Sequence, residues 1–408
     1  MRTTILGILL LLTSAAWSQR ECVTANYLEQ QKLQQPALRG ILDNVELFIS
    51  QHSSSSQKIL GGGSRTVVRI PVVVHVLYNT AEQNIPEIRI TEQMEVLNRD
   101  FRMLNADTAA IPERFRPFAA DTEIEFYLAT ADPEGRPTTG VIRKFTPVTS
   151  FTTDDRIKYT EHGGHNAWDS RYYLNIWVGN TRTILGYSTV PGAAAERDGI
   201  VVNYTVFGKT GGIYGLGRTA VHEAGHWLGL KHLWGDTYCG DDLVGDTPVQ
   251  GNFTTGCPTG FRTSCNNGAL GDMYMNYMDY TNDACLNMFT EGQRERMHAL
   301  FLPGGPRHML LSSKGLSEPW MPALTEPSVV EPLVRCYPNP ATTEITIQAP
   351  TDLLGNMVTV YDANGHVAAR FQLVSTSQKI SLAGLLPGVY FIQASNGKQV
   401  FRSKFSRL

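Results

Sequence analysis

The stretch His222-Glu223-Ala224-Gly225-His226-Trp227-Leu228-Gly229-Leu230-Lys231-His232 places three histidines and one glutamate at spacings that suit a single metal ion. Residues four apart on a helix differ by roughly 40° around its axis, so the first two histidines share one face. Glu223 lies about 100° from His222 and can act on a bound water without being a ligand. Gly229 can adopt the positive φ that ends a helix, which would return His232 to the ion as a third ligand. Three histidines leave the fourth zinc position open for water or substrate.

A His-Glu-x-x-His pattern alone also arises by chance, because any amphipathic helix can carry two histidines four residues apart. The extension to Gly229 and His232 makes a zinc site the better interpretation. Zinc would lower the pKa of a water towards ~7, and Glu223 would take its proton and pass it to a leaving amine. The motif therefore predicts zinc-dependent hydrolysis with Glu223 as the catalytic base.

The composition is that of ordinary globular domains, with 42% hydrophobic and 18% charged residues in a chain of 408. A net charge of -3 gives no electrostatic footprint for nucleic acid or an anionic membrane surface. Residues 1–18 combine Arg2, a short apolar run and Ala16-Trp17-Ser18, which is typical of a secretory signal peptide. No later stretch approaches the ~20 apolar residues of a membrane-spanning helix. We therefore expect an exported chain without a transmembrane segment.

Four further segments follow the predicted signal peptide. Residues 19–65 are polar, contain one amphipathic stretch and end in serine and glycine runs, which favours a removable pro-segment over a plain linker. Residues 66–303 alternate strand and helix patterns up to the histidine helix, which begins near residue 218. The later part of this region, 233–290, lacks periodicity and predicts a loop-rich lower half. Proline-rich residues 304–335 predict a linker before a final unit, 336–408.

The final unit reads as a small all-β sandwich, because short strand patterns are separated by turn signals such as Asn364-Gly365. The predicted strands cover residues 344–349, 358–361, 368–374, 379–382, 389–394 and 399–405. Six cysteines in an exported chain suggest disulfides. Four of them cluster after the histidine motif, and three pairings of these four are possible. Cys22 and Cys336 lie apart near the two ends.

The sequence resembles the metzincin signature at residues 222–232 and the Met-turn of the pappalysin family at Asn276-Tyr277-Met278-Asp279-Tyr280. The resemblance covers roughly residues 66–303 and implies a twisted mixed sheet with an active-site helix. It also implies that Met278 forms an apolar floor beneath the zinc and that Tyr280 hydrogen-bonds the transition state. The alternative for both side chains is ordinary packing.

The same resemblance implies the disulfides Cys239–Cys265 and Cys257–Cys285. It further implies structural Ca²⁺ in the loop 239–247, where hard oxygen donors are plentiful. The donors are Asp241, Asp242, Asp246 and Thr247, together with backbone carbonyls. A solvated acidic turn is the alternative for this loop.

The resemblance also implies a substrate preference for the enzyme and a way of keeping its precursor inactive. Asp283 matches an acid that lines the pocket for a basic residue after the scissile bond, and a carboxylate there would select Arg or Lys. An exposed loop acid is the competing interpretation. Cys22 matches a pro-segment cysteine that blocks the active site, since a thiolate can fill the open zinc position. A free cysteine in an unstructured tail is the alternative.

The last unit resembles the sorting domain of cargo for the bacterial type IX secretion system. The matching segments are Cys336-Tyr337-Pro338-Asn339-Pro340 and Leu386-Pro387-Gly388-Val389-Tyr390. The alternative is an adhesive β-sandwich, and Cys336 has no assigned role. We therefore expect a secreted or surface-bound zinc metalloendopeptidase, made as a latent zymogen, whose partners are peptide substrates and the secretion machinery. A surface-displayed binding protein with a structural or vestigial zinc site is the competing hypothesis.

Overall fold

The computed structural model describes residues 22–53, 67–321, 334–396 and 400–408. The chain divides into two compact units, Met1–Pro322 and Ala323–Leu408. The predicted signal peptide, the predicted pro-segment boundary at Arg65 and residues 322–333 of the predicted linker lie outside the described residues. Within the described residues, no helix combines the length and apolar character needed to cross a membrane.

The first unit begins with two helices of the pro-segment, α1 (Thr24–Gln34) and α2 (Ala37–His52). Pro36 separates them and occupies the position just before α2, where a missing N–H costs nothing. The amphipathic pattern of α2 buries Ile49 in the main core, with Val45 packed against the same cluster. Helix α2 of the predicted pro-segment therefore contributes to the main core of the first unit.

The first unit is built on a mixed sheet in the order β2-β1-β4-β6-β5, with β3 also paired to β1. Its strands are β1 (Val68–Tyr78), β2 (Ile124–Leu128), β3 (Val141–Phe145), β4 (Leu174–Gly179), β5 (Gly186–Ser188) and β6 (Ile200–Asn203). All pairs are parallel except β5 with β6, which is antiparallel and leaves β5 at the edge. The predicted α/β fold is confirmed, although the sequence patterns missed β3, which has no fully buried residue, and β5, which is only three residues long.

Helices α3 (Glu87–Phe101) and α4 (Arg218–Trp227) bury apolar faces in the same core as the sheet. The central strand β1 is buried along most of its length, which explains its continuous run of Val and Ile. Helix α5 (Glu291–Ala299) begins with a capping box between Thr290 and Gln293. These elements fix α4, which carries the histidines, between the sheet and the later part of the unit.

The region after α4 is loop-rich, as predicted, and two disulfides cross it. They join Cys239 to Cys265 and Cys257 to Cys285, the pairing that the resemblance implies. Cys22 and Cys336 carry free thiols.

The structured part of the first unit extends further than the proline content predicts. Residues 304–321, predicted as linker, pack against the catalytic unit. Arg307 pairs with Asp198, Leu310 is buried, and the backbone of Trp320 donates to the carbonyl of Gly135. The prolines keep this segment out of α-helices and strands, but their fixed φ angles do not prevent it from packing. Proline content alone therefore does not distinguish a linker from an ordered irregular segment.

The second unit contains two antiparallel sheets, in the orders β10-β9-β12-β13 and β11-β8-β7. The strands are β7 (Arg335–Tyr337), β8 (Glu344–Gln348), β9 (Met357–Tyr361), β10 (Val367–Gln372), β11 (Ser377–Ser381), β12 (Gly388–Ser395) and β13 (Val400–Arg407). One apolar cluster, which includes Ile347, Val360 and Ile392, forms its core. The predicted all-β unit is confirmed, and β7 is the strand that the sequence patterns missed.

Candidate active site

Helix α4 and the turn that follows it bring three imidazoles to one point. His222 and His226 lie on α4, and Gly229 has the predicted positive φ, at 85°. The backbone N–H of Leu230 then donates to the carbonyl of Gly225 at 2.9 Å, which closes the turn. As a result the Nε2 atoms of His222, His226 and His232 lie 3.0–3.3 Å from one another.

The second nitrogen of each imidazole faces an oxygen that can only accept. The Nδ1 of His222 lies 2.7 Å from the carbonyl oxygen of Tyr277, and that of His226 lies 2.9 Å from the carbonyl oxygen of Leu230. The Nδ1 of His232 pairs with the carboxylate of Asp236. Each Nδ1 therefore carries the proton, and each Nε2 directs a lone pair at the other two. Burial and the neighbouring His232 lower the pKa of His226 to about 3, in keeping with a neutral ring. Three buried lone pairs facing one point require a cation, and this donor set fits Zn²⁺.

Cys22 of the pro-segment completes a tetrad of ligand atoms. Its Sγ lies 3.6 Å from the Nε2 of His226, and the four candidate ligand atoms all lie within 4.8 Å of one another. All four side chains are buried. Three imidazole nitrogens and one sulfur are a tetrahedral zinc donor set, in which the thiol takes the position that a catalytic site leaves open.

Glu223 lies between the pro-segment and the edge strand β5. Its Oε2 accepts a hydrogen bond of 2.9 Å from the hydroxyl of Thr24, and that hydroxyl accepts one of 2.8 Å from the backbone N–H of Ser188. A Cβ added to Gly186 would lie only 2.9 Å from the Cγ of Glu223. The carboxylate is thus held beside the histidines by a strand that needs glycine at this point.

Tyr280 and Met278 both lie close to the histidine cluster. The Tyr280 hydroxyl donates to the carbonyl of Cys22 at 2.8 Å, and its ring meets that of His232 edge-on at 5.0 Å. Met278 is fully buried, and a Cβ added to Gly225 would lie 2.5 Å from its sulfur. The methionine therefore packs against α4 directly between the two helical histidines.

A buried hydrogen-bond network holds this turn in place. Asn276 bonds Gln293 of α5 in both directions, at 2.8 and 3.1 Å, and its Oδ1 accepts from the N–H of Met278. Asp279 accepts from the backbone of Thr254 and Tyr280, and burial raises its pKa to about 6. The side chains of Asn276 and Asp279 therefore tie the turn to α5 and to the loop at Thr254.

Comparisons with known proteins agree with this geometry. The family described as pregnancy-associated plasma protein-A matches residues 158–301, and the secretion system C-terminal sorting domain matches residues 335–406. An extracellular metalloprotease of Verticillium alfalfae is 31% identical over 265 residues, which cover 61% of this chain and 82% of the relative. Extracellular metalloprotease 1 of Coccidioides posadasii is 44% identical over 125 residues, which cover 29% of this chain and 45% of the relative.

Solved structures extend the likeness to the precursor form. A promirolysin mutant of Tannerella forsythia aligns with a TM-score of 0.65 and 41% identity, covering 72% of this chain and 97% of that one. Mature mirolysin of the same organism, in complex with a cleaved peptide, aligns with a TM-score of 0.59 and 46% identity, covering 61% and 96%. The chain belongs to the pappalysin family of metzincin peptidases.

As a pappalysin-family member, the chain is a zinc metalloendopeptidase made as a zymogen, and it acts on peptide substrates. Its C-terminal sorting domain directs it to the type IX secretion machinery, so it is secreted or displayed at the cell surface. These findings exclude the competing hypothesis of a surface-displayed binding protein with a structural or vestigial zinc site.

The predicted calcium donors of this pappalysin-family chain do not converge on one point. Asp242 is buried, and both of its oxygens lie 2.8 Å from the hydroxyl of Thr247. Burial raises the pKa of Asp242 to about 7. Asp246 instead accepts from Thr290 and Gly292 at the start of α5, and Asp241 accepts from the N–H of Leu243. The buried Asp242 excludes a fully solvated acidic turn.

Asp283, the predicted specificity residue, is fully buried and is not an exposed loop acid. It begins a short 3₁₀ helix, Asp283–Cys285, after the Met-turn. Its Oδ2 accepts from the backbone N–H of Leu216 at 2.9 Å and of Arg218 at 3.2 Å, at the start of α4. The carboxylate therefore caps the helix that carries the zinc ligands.

Two contributors to the site were missed by sequence reasoning. Asp236 orients His232 and lies four residues after it, a spacing that sequence could have suggested. Thr24 contacts Glu223 from two residues beyond Cys22, and nothing local to Thr24 indicates a partner 199 residues away.

Proposed function

We propose that His222, His226 and His232 hold the catalytic zinc and that Glu223 and Tyr280 act on the scissile bond. The observation that carries this assignment is the convergence of three Nε2 lone pairs beside Glu223, with every Nδ1 engaged elsewhere. When bound, Zn²⁺ would lower the pKa of the attacking water and polarise the scissile carbonyl. The residues of the chain supply the remaining steps.

Glu223 takes the proton from the attacking water and transfers it to the leaving amine. Its buried position beside β5 holds the carboxylate at the edge strand, where an extended peptide can add to the sheet. Tyr280, whose hydroxyl donates to a peptide carbonyl in the latent chain, donates to the carbonyl oxygen as negative charge develops on it. Met278 supports the histidine pair from below by packing on Gly225.

The substitution Glu223→Gln tests this assignment. The variant should bind one zinc per chain, because glutamate is not a ligand, yet lose about 10²- to 10⁴-fold in kcat. Zinc content by atomic emission and hydrolysis of a fluorogenic peptide measure the two effects. His226→Ala is the matched control, since it should lose zinc and activity together. A fully active Glu223→Gln enzyme would contradict the role of Glu223 as catalytic base.

We propose that Cys22 keeps the precursor latent by occupying the fourth zinc position. The support is the position of its Sγ among the histidine nitrogens, together with two contacts of the same segment, Thr24 with Glu223 and Tyr280 with the Cys22 carbonyl. Cys22→Ser should raise the activity of the uncleaved precursor and speed its conversion, because oxygen replaces a strong thiolate ligand. Unchanged conversion kinetics, followed by gel electrophoresis, would reject the role.

We propose that Asp283 makes the enzyme favour Arg or Lys after the scissile bond. The support is its buried carboxylate a few residues after the Met-turn tyrosine, since a carboxylate at the base of the substrate pocket would select a cationic side chain by charge-assisted hydrogen bonding. A peptide library cleaved by wild type should show Arg or Lys after the bond, and Asp283→Asn should lose that preference at least tenfold. A library without basic preference in wild type would contradict the proposal.

We propose that structural Ca²⁺ binds the loop 239–247 through Asp242 and the surrounding oxygens. The support is a buried carboxylate that accepts from the hydroxyl of Thr247 and the backbone N–H of Val244, in a loop rich in hard oxygen donors. EGTA should lower the melting temperature of zinc-saturated enzyme, and Asp242→Asn should remove that response. A melting temperature indifferent to EGTA in the wild type would exclude this site.

We propose that residues 1–18 are a signal peptide, 19–65 a pro-segment, 66–303 the catalytic domain, 304–335 a linker and 336–408 the sorting domain, and that maturation removes the signal peptide, the pro-segment and, after export, the sorting domain. The support is the contact of Cys22 with His226 and the match of the sorting domain to residues 335–406. Mass spectrometry of the secreted product gives its terminal residues directly. A mature product that still contains Cys22 would contradict this order of processing.

A further inference from the structure

A second contact of the pro-segment lies away from the histidines, on the other face of the sheet. Gly186 of β5 faces Glu223, and successive strand residues point to opposite faces, so Tyr187 faces away from α4. The ring of Tyr27 from α1 packs on this Tyr187, with centroids 4.9 Å apart. Tyr27 is only 2% exposed. Helix α1 thus reaches around the edge of the sheet and inserts one aromatic side chain behind it.

The hydroxyl of Tyr27 meets a buried ion pair. It donates to the two carboxylate oxygens of Asp155 at 2.8 and 3.0 Å, and it accepts from the Nζ of Lys158 at 3.2 Å. Burial raises the pKa of Tyr27 well above its usual 10, so the hydroxyl keeps the proton that it donates. A phenol supplies both the donor and the acceptor that this pair needs, which phenylalanine cannot do.

The receiving side belongs wholly to the catalytic unit and is built at some cost. Asp155 has a left-handed φ of 63°, unfavourable for a residue other than glycine. Its carboxylate lies 3.0 Å from Lys158 and 3.8 Å from Arg197. Lys158 is fully buried, and its ammonium lies 5.2 Å from the ring of Tyr187 and 5.5 Å from that of Trp177. A strained loop that buries two charges beneath a removable segment has the character of a binding site.

A second residue of α1 strengthens the contact one helical turn later. Arg197 donates to the side-chain carbonyl of Gln31, and the amide of Gln31 lies 3.5 Å from Asp155. The spacing of four residues places Tyr27 and Gln31 on one face of α1. The site therefore binds a tyrosine and a glutamine from one face of the helix. The candidate metal ligands make no contribution to it.

We propose that Asp155, Lys158, Tyr187 and Arg197 form a binding site for the tyrosyl side chain of the pro-segment, separate from the zinc centre. The site holds α1 independently of Cys22 and continues to bind the pro-segment after its covalent link to the enzyme is cut. This inference rests on the proposed latent precursor, but not on ligation by Cys22. Activation then requires release or degradation of the separated pro-segment as well as cleavage.

The uncleaved precursor tests the first half of this proposal. Full-length chains with Cys22→Ala, alone or combined with Tyr27→Phe, are assayed with a fluorogenic peptide before processing. Cys22→Ala should remain at least tenfold less active than the processed enzyme, and adding Tyr27→Phe should raise its activity about tenfold or more, since hydrogen bonds to charged groups are lost. Leu33→Ala, at a residue 73% exposed on the same helix, should change nothing.

Two outcomes of this assay separate the proposals. If Cys22→Ala alone is as active as processed enzyme, or if Tyr27→Phe has no effect, the tyrosine site is refuted. If Cys22→Ala is as latent as wild type while Tyr27→Phe activates it, ligation by Cys22 is refuted and the tyrosine site stands. Thermal melts of each chain establish that the comparison is made between folded proteins.

Addition of the pro-segment in trans tests the second half. A synthetic peptide of residues 23–53, which lacks Cys22, should inhibit the processed enzyme. The same peptide with Tyr27→Phe should inhibit at least tenfold more weakly, and Asp155→Asn enzyme should lose the difference between the two peptides. The kcat/KM of Asp155→Asn for a small substrate shows whether its catalytic site is intact. Equal inhibition by the two peptides, or none by either, overturns the proposal.

Discussion

At the scale of single residues, the zinc centre depends on what occupies the second nitrogen of each histidine. Two of these partners are backbone carbonyls, of Tyr277 and Leu230, and the third is the carboxylate of Asp236. Each fixes the tautomer and the ring orientation, so the three Nε2 lone pairs converge on one point. Spacing along a helix predicts which side chains meet, whereas these partners set the direction in which the nitrogens point.

Tyr280→Phe should lower kcat of the processed enzyme by about 10- to 10³-fold, because one hydrogen-bond donor to the developing oxyanion is removed. KM should change little, since the bond strengthens only in the transition state. Steady-state kinetics on a peptide substrate measure both. Tyr274→Phe, which removes a hydroxyl bonded to the Gly260 carbonyl, is the control and should leave kcat unchanged. A Tyr280→Phe enzyme of normal kcat would reduce this residue to a packing role.

The buried His75 on β1 should make stability fall in acid. Burial and the neighbouring His165 lower the pKa of His75 to about 3 in the folded chain, while the unfolded chain protonates it near 6.5. Between these values the unfolded chain binds more protons, so stability falls as the pH falls, by at most about 1.4 kcal/mol per unit. Denaturant unfolding at pH 7, 6 and 5 measures the slope. His75→Gln, which retains all zinc ligands, should show a shallower slope, and an equal slope would contradict the role of His75.

At the scale of elements, helix α2 closes the pro-segment over the end of the cleft. Its Glu46 pairs with the buried Arg296 of α5 through both carboxylate oxygens, at 2.7 and 2.5 Å. Burial alone would raise the pKa of Glu46, but the hydrogen bonds and charge of Arg296 lower it. Ile49 from the same helix lies in the main core. A cavity of about 520 Å³ remains beneath the two helices, lined in part by His226 and Gly229.

Glu46→Gln should loosen α2 and accelerate activation of the precursor. The substitution leaves Arg296 buried without its negative partner, which costs on the order of 1–3 kcal/mol. Hydrogen exchange of residues 37–52, measured in the Glu223→Gln background to prevent autolysis, should increase. Asp43→Asn removes the same charge from an exposed position of α2 and should have no such effect. Equal protection in both variants would show that the Arg296 pair does not hold the helix.

At the scale of the whole molecule, metal, pro-segment and catalytic unit should unfold as one linked system. Removing zinc with phenanthroline, in excess Ca²⁺, should lower the melting temperature of the precursor, because ligand binding at a thousandfold above Kd adds ~4 kcal/mol. Calorimetry measures the shift. His226→Ala precursor is the control and should not respond to the chelator. A wild-type precursor whose melting is unaffected by phenanthroline would contradict a zinc-dependent fold of this site.

The sequence by itself predicted the zinc chemistry, because the histidine spacing lies within one helix and the turn that follows it. His222, His226, Gly229 and His232 follow from helical geometry, and the long strands and helices follow from periodicity. Strands β3 and β5 were missed, because β3 is half-buried or exposed throughout and β5 is only three residues long. The ordered segment 304–321 was not predictable either, because its partners, such as Asp198, lie far away in the chain.

Only the tertiary structure decided what surrounds the histidines. It placed Cys22 and Thr24 within hydrogen-bonding reach of residues about 200 positions later, buried Asp283 as a helix cap, and turned Asp246 away from Asp242. It also joined Tyr27 to a buried ion pair on the far face of the sheet. The physical reason is that these contacts depend on long-range packing, where a side chain's partner is set by the folded surface and leaves no periodic trace in the sequence.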